Sequence, residues 1–158
     1  MPRIVTSFET KAPIEIVFDL SRSIDFHMHT QKKHHEIAIK GKTSGLSELG
    51  DTVTWHARHF GIPQFLTAKI TQYDRPYHFR DSMVKGAFKS FDHDHIFKVD
   101  GDTIFITDIF DYESPFYWIG NLADSLFLKK YMTNFFERKN QITKEVLESG
   151  AWKQFISE

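Results

Sequence analysis

The chain contains 158 residues, carries a net charge of −1 and has no cysteine. This length fits a single domain over residues 1–158, and the lack of cysteine excludes disulfides, thiolate metal sites and a cysteine nucleophile. The charge argues against a nucleic-acid binder, and no run approaches the roughly 20 apolar residues of a membrane span. The first ten residues lack the apolar segment of a signal peptide, so we expect a cytoplasmic protein.

The first part of the chain predicts one strand and two short helices. Residues 3–10 alternate in polarity as a strand does. A helix of about two turns follows, because apolar residues recur at i, i+3 and i+4 from Ile14. Ser21 or Ser23 can cap a second short helix that ends near Thr30.

Six further strands are predicted between residues 35 and 113, separated by glycine, proline and Asp-Gly turn signals. The runs are 35–42, 50–61, 64–74, 77–83, 88–99 and 102–113. Consecutive strands joined by hairpins form antiparallel sheets, so an antiparallel sheet is expected.

One long helix is predicted at the end, because the chain from about Asn121 to Ser149 contains neither proline nor glycine. About 29 residues would extend ~43 Å. One face carries the apolar residues, and Gly150 can end the helix. A helix of this length can lie across a curved sheet and enclose a space that side chains need not fill. The apolar face consists of Leu128, Met132, Phe135, Ile142 and Val146.

This order of elements resembles the Bet v 1-like, START-like helix-grip superfamily, and within it bacterial SRPBCC proteins labelled polyketide cyclase-like or cell-division inhibitor-like. The stretches that carry the resemblance are APIEIVFDL (12–20), 50–61, 70–83, 86–97, 107–115 and GNLAD (120–124). The resemblance implies an α+β helix-grip fold: a curved antiparallel sheet of about seven strands, two short helices and a long C-terminal helix over the concave face. It does not determine the activity, because the superfamily includes lipid carriers, hormone receptors and cyclases.

One position departs from the pattern of the relatives, which often have P-x-G-x-x-G after the last strand. Here Tyr117 replaces the first of these glycines. The approach to the long helix is therefore expected to be bulkier and more aromatic. The run 116–118 is interpreted as a packing corner, with a lid or a patch that touches a membrane or a partner as the alternatives.

Strand alternation predicts which side chains face the concave side of the sheet. The inward set is Val53, Trp55, Ala57, His59, Phe79, Asp81, Met83, Phe91, His93, His95, Phe97, Val99, Ile104, Ile106, Asp108, Phe110 and Tyr112.

Within this set, a polar cluster of Asp81, His93, His95 and Asp108 is expected among aromatic rings. Four interpretations stay open. The carboxylates could orient the histidines in a satisfied network, or the cluster could anchor a ligand's hydroxyl or carbonyl group. It could also provide general acid and base groups, as cyclisation or dehydration of a ketide requires. Two histidines at i, i+2 with carboxylates can bind zinc, but His-x-His arises easily in a chain with nine histidines. We predict neither a metal nor a cofactor.

Outside this cluster, His27, His34 and His35 are expected on the surface. For His27, contact with a ligand is the alternative. Trp152 and Phe155 near the C-terminus could dock on the domain or on a second copy, so a homodimer is kept open.

The sequence therefore predicts reversible binding of a small hydrophobic molecule, a lipid or polyketide-like compound, in a cavity between sheet and helix. A cyclase or dehydratase with His93 or His95 as the acid/base group is the enzymatic alternative, and a non-catalytic protein partner is the third. The predicted ligand contacts are Trp55, Phe79, Asp81, Phe91, His93, His95, Phe97, Asp108, Phe110, Tyr112, Leu128, Met132 and Phe135.

Overall fold

A computed structural model describes residues 2–114 and 122–156 of the chain, and for residues 122–124 it describes the backbone only. The predictions for the run 116–118, Tyr117 included, fall outside these residues. So do Gly120 and Asn121 of the stretch GNLAD.

The elements follow the predicted order. The chain begins with β1 (Arg3–Thr10), α1 (Ile14–Ser21), α2 (Ile24–Thr30) and a 3₁₀ turn (Lys32–His34). It continues with β2 (Ile37–Gly41), β3 (Thr52–His59), β4 (Ile62–Asp74), β5 (His78–Lys85), β6 (Ser90–Asp100), β7 (Thr103–Glu113), α3 (Leu122–Ser149) and a second 3₁₀ turn (Ala151–Gln154). The two 3₁₀ turns were not predicted, because three or four residues are too few to show a period.

The seven strands form one antiparallel sheet in the order β1-β7-β6-β5-β4-β3-β2. The sheet is curved, and α3 lies over its concave face in a helix-grip fold. Each strand from β2 to β6 pairs with the next strand in the sequence, as hairpin connections require. β1 pairs with β7, so α1 and α2 connect the two edges of the sheet.

Two predicted helix ends are confirmed. The side chain of Ser23 caps α2 by accepting a hydrogen bond from the backbone N–H of Phe26 at 3.1 Å. Gly150 follows α3 with φ +79°, a left-handed conformation that glycine adopts at little cost.

The core has two main parts. The α1 core joins α1, the end of α3 and the second 3₁₀ turn to the sheet; its buried members are Val17, Phe18, Leu20, Phe26, Ile70, Phe79, Phe97, Ile104, Ile106, Val146, Leu147, Trp152 and Ile156. The α3 core lies under the first half of α3; its buried members are Ile4, Ala68, Phe91, Phe110, Tyr112, Met132 and Phe136. Trp152 and Phe155 dock on the domain itself, on the α1 core.

Val99 is the one exposed member of the predicted inward set, at 47%, although its cross-strand partner Ile104 is buried. β5 pairs with β6 only between Asp92 and Ile96, so Val99 has no neighbour on the β5 side. Both faces of β7 carry apolar residues, and the face predicted to point inward is the buried one. Its members are the even-numbered residues from Ile104 to Tyr112.

Candidate functional site

Four polar side chains share the concave face in the middle of β5, β6 and β7. Asp81 is the cross-strand partner of His93, and Asp108 is the partner of His95. Because strand side chains alternate, the i, i+2 spacing places both histidines on this face. His93, His95 and Asp108 are at most 6% exposed. The structure thus brings together the four residues of the predicted group, called the His–Asp cluster below.

His95 lies between the two carboxylates. Its Nε2 is hydrogen-bonded to Asp81 Oδ2 at 2.8 Å, and its Nδ1 is 2.8 Å from Asp108 Oδ1. The Nε2 of His93 is 3.2 Å from the same Asp108 oxygen, and its Nδ1 is 3.8 Å from Asp81 Oδ2. Neither ring is aligned for a hydrogen bond with Asp108 Oδ1. The carboxylates therefore hold His95 more firmly than His93.

Electrostatics in the cluster shift the pKa values of the two histidines in opposite directions. Burial lowers the pKa of His93, and the adjacent His95 lowers it further. Burial also opposes a charge on His95, but Asp108 and Asp81 outweigh it and raise the pKa of this histidine. Burial would raise the pKa of both carboxyls, yet the histidines and Lys139 hold the pKa of Asp81 below its usual value and that of Asp108 well below it.

A cavity of about 640 Å³ lies between the sheet and α3. Aromatic and aliphatic side chains form most of its wall, and the His–Asp cluster contributes a polar patch. Ten predicted site residues line it: Trp55, Phe79, Asp81, Phe91, His93, His95, Phe110, Leu128, Met132 and Phe135.

The other three predicted residues do not line this cavity. Phe97 is buried in the α1 core. Asp108 lies behind the two histidines and borders a separate void of about 10 Å³, the size of one water molecule. Tyr112 is 1% exposed in the α3 core, and its hydroxyl has no hydrogen-bond partner among the described residues.

The His–Asp cluster stands at the border between solid core and cavity. His95 stacks on Phe79 with ring centroids 4.1 Å apart, and Phe79 packs edge-on against Phe18 of the α1 core at 5.3 Å. His93 packs against Phe136 of the α3 core at 5.0 Å. One histidine therefore adjoins the filled part of the protein, and the other adjoins the helix that covers the cavity.

A second polar group, called the Glu36 cluster below, lines the same cavity. It comprises His27, Glu36, His59 and Tyr131. His27 Nε2 is 2.7 Å from Glu36 Oε1, and His59 Nδ1 is 2.6 Å from the hydroxyl of Tyr131. Glu36 is 8% exposed; burial would raise its pKa, but His27, together with His59 and His34, outweighs this and holds the pKa below the usual value.

Sequence reasoning missed most of the Glu36 cluster. His27 and His34 were expected on the surface, but both are half-buried, and His34 stacks on His59 at 4.6 Å. Glu36 has the same strand parity as Ala38 of β2, a signal that could have placed it inward. Lys139 also lines the cavity, four residues after Phe135 on the helix. Lys139 is a charged residue on the otherwise apolar face of the helix, and this position could have indicated a polar contact inside the cavity.

These features define a helix-grip fold, and comparisons with solved structures agree. A protein from Thermus thermophilus superposes with a TM-score of 0.76 at 17% identity, over 94% of this chain and 99% of that one. A START superfamily protein from Mycobacterium smegmatis gives a TM-score of 0.71 at 10% identity, over 93% and 97% of the two chains. Ginseng major latex-like protein 151 from Panax ginseng gives 0.66 at 14% identity, over 92% and 97%. Similarity at these identities establishes the fold alone.

No protein-family model and no curated protein sequence matches the chain. Among the described residues, no helix has the length and apolar character needed to cross a membrane. A cytoplasmic location, the absence of a nucleic-acid partner and a homodimer stay predictions.

Proposed function

We propose that the protein binds one small, largely apolar molecule in the cavity between the sheet and α3. The observation that carries the proposal is the cavity itself, whose volume is about 640 Å³. Small-molecule pockets are usually roughly 300–1,000 Å³, with mostly apolar walls and a few placed polar groups. A lipid or a polyketide-like compound matches this description.

Affinity would come mainly from removing apolar surface from water, at roughly 25 cal/mol per Å² before the costs of association. Trp55, Phe91 and Phe110 supply rigid walls on the sheet, and Met132 and Phe135 oppose them from α3. Rigid rings lose little freedom on binding, so the wall is prepared for an apolar occupant.

Orientation would come from the polar groups in the wall. The side chain of Asp81 is 23% exposed, and one of its oxygens is engaged by His95. Its other oxygen can accept a hydrogen bond from a ligand hydroxyl. The Glu36 cluster offers a second polar contact. A ligand with oxygen functions at separated positions on an apolar body fits both.

Native mass spectrometry of freshly purified protein, followed by organic extraction, tests the proposal. An apolar species that leaves on denaturation is the expected result. A ligand recovered in chemically altered form would instead support the cyclase or dehydratase alternative. If no adduct is found and the apolar dye N-phenyl-1-naphthylamine is not taken up, the ligand proposal is wrong and a protein partner becomes the better explanation.

A matched pair of variants ties the binding to this cavity. Ala68 is buried in the cavity wall, whereas Lys69 is exposed on the opposite face of β4. We expect Ala68→Trp to fill the cavity and abolish dye uptake, and Lys69→Trp to leave uptake unchanged. Equal uptake by both variants would show that the dye binds elsewhere.

A further inference from the structure

Three metal-ligating side chains of the His–Asp cluster point at one another. Asp81, His93 and His95 each present a ligand atom, and the three atoms lie within 4.8 Å of one another. Asp81 Oδ2 is 2.8 Å from His95 Nε2 and 3.8 Å from His93 Nδ1. Two imidazoles and one carboxylate are a donor set that Zn²⁺ and other first-row dications accept. Metal–ligand bonds of about 2.0–2.2 Å require only a small adjustment of these side chains.

Asp108 supports this arrangement from behind. Its Oδ1 is 2.8 Å from His95 Nδ1 and 3.2 Å from His93 Nε2, which are the nitrogens on the far side from Asp81. Histidines that bind metals usually donate the other ring N–H to a carboxylate or carbonyl. Neither contact with Asp108 is aligned as a hydrogen bond here, but a proton on the nitrogen of each ring that faces Asp108 leaves the lone pair of that ring on the side of Asp81. The space among these three ligand atoms then attracts a cation.

His93 is the less firmly held of the two histidines. It is 6% exposed, and its Nε2 is buried without a hydrogen-bond partner among the described residues. Buried polar groups are normally satisfied, and an unsatisfied one indicates a missing partner. The unsatisfied Nε2 faces Asp108, whereas Nδ1 lies 3.8 Å from Asp81 Oδ2, where it can bind a cation directly.

We propose that Asp81, His93 and His95 bind a divalent transition metal, with Zn²⁺ as the best match, at the wall of the cavity. The three residues line the cavity, so coordination positions stay open to a ligand or a water molecule. Lys139 lines the cavity too and opposes a second positive charge, whereas the carboxylates of Asp81 and Asp108 favour it. The proposal holds whether or not the cavity also takes an apolar molecule.

Titration of the untagged, chelator-stripped full chain with Zn²⁺, in competition with a chromogenic chelator, tests the site. We expect one equivalent to bind, and Co²⁺ to give the visible absorption of a low-coordinate nitrogen and oxygen site. Wild-type protein that binds no stoichiometric Zn²⁺ would overturn the proposal and leave a proton as the only cation between Asp81 and His95.

Variants separate this site from the other histidines. His93→Gln should abolish the stoichiometric binding, and it is the safer ligand variant because His93 makes no aligned hydrogen bond. Asp108→Asn should weaken binding about 10–100-fold, as loss of a carboxylate behind the ligands does. Lys139→Met should strengthen it. The matched control is His78→Gln, because His78 pairs with Asp94 at 2.7 Å on the outer face of the same two strands.

Thermal unfolding with and without Zn²⁺ shows whether a variant that binds no metal is still folded. Zn²⁺ should raise the thermal midpoint of the wild type and of His78→Gln, because a ligand that binds only the folded state stabilises it. It should leave the midpoint of His93→Gln unchanged. Equal Zn²⁺ affinity in the wild type and His93→Gln would place the metal elsewhere and refute the site.

Discussion

Phenylalanine side chains fill one of the two parts of the core and line a cavity in the other. In the α1 core, Phe18 is fully buried and packs edge-on against Tyr73, Phe79 and Phe97 at 5.2 to 5.6 Å. In the α3 core, the rings of Phe91 and Phe110 face a cavity instead.

The covering elements explain this difference. The α1 core is closed by α1, by the end of α3 and by the second 3₁₀ turn, which adds Trp152. The open part is covered by the first half of α3 through Leu128, Met132 and Phe135. The number of elements that cover the sheet therefore decides whether a phenylalanine fills the core or lines a cavity.

The largest expected difference between the two parts comes from one substitution made in each. Phe18→Ala should lower the free energy of unfolding by about 3–5 kcal/mol, because it opens a void in a closed core. Phe135→Ala, at a half-buried wall position, should cost about 1–2 kcal/mol, because that ring already borders open space. Chemical denaturation measures both losses. Equal losses would contradict the distinction between a filled and an open part.

A second substitution tests the border between the two parts. Asp108→Asn should lower the free energy of unfolding by about 3 kcal/mol, because it removes a buried charge that faces both histidines. Asp92→Asn is the control on the outer face of β6, where the side chain is 49% exposed, and should cost at most about 0.5 kcal/mol. Similar losses in denaturation would mean that the buried cluster contributes no more than a surface pair.

The Glu36 cluster allows a pH-dependent test at the open part. Glu36→Gln should cost about 1.5–3 kcal/mol at neutral pH, because a charged hydrogen bond to His27 is lost. The histidines that face Glu36, namely His27, His59 and His34, keep its pKa in the folded state below the usual value of 4.5 despite burial. The ionised carboxylate therefore stabilises the fold above pH 4.5, and this contribution is lost as the pH falls through the lower folded-state pKa.

Thermal unfolding of both proteins between neutral and acid pH measures the effect. The stability difference between wild type and Glu36→Gln should shrink on acidification. A difference that grows toward acid pH would contradict the assigned direction of the shift.

The smallest expected effect lies in the hairpin between β3 and β4. Phe60 has φ +55° and Gly61 has φ +72°, and Phe60 is 64% exposed. Asn-Gly is the preferred pair for such a turn, so Phe60→Asn should stabilise the fold by about 0.5–1 kcal/mol. Because Phe60 lines the cavity beside Tyr131, the same change should weaken uptake of the apolar dye. Destabilisation in denaturant would mean that the contacts of the ring outweigh the strained backbone.

Local patterns were enough to predict most of the fold. Alternation placed Phe91, His93, His95 and Phe97 on one face of β6, and all four are buried. Alternation did not predict that Val99 is exposed, because the sequence does not show where β5 stops pairing with β6. The candidate site was predictable in part. Alternation predicted that the residues of the His–Asp cluster share one face, but it could not predict which histidine each carboxylate would contact.

The sequence by itself determined the order of elements, the inward faces of the strands and the end of α3 at Gly150, because periodicity and turn chemistry act between near neighbours in the chain. Tertiary structure decided the rest. It selected which rings fill the core, placed Glu36 beside His27 and brought Tyr131 and Lys139 to the cavity. These outcomes depend on how α3 and the short helices pack across strands far away in sequence, and no local pattern encodes that packing.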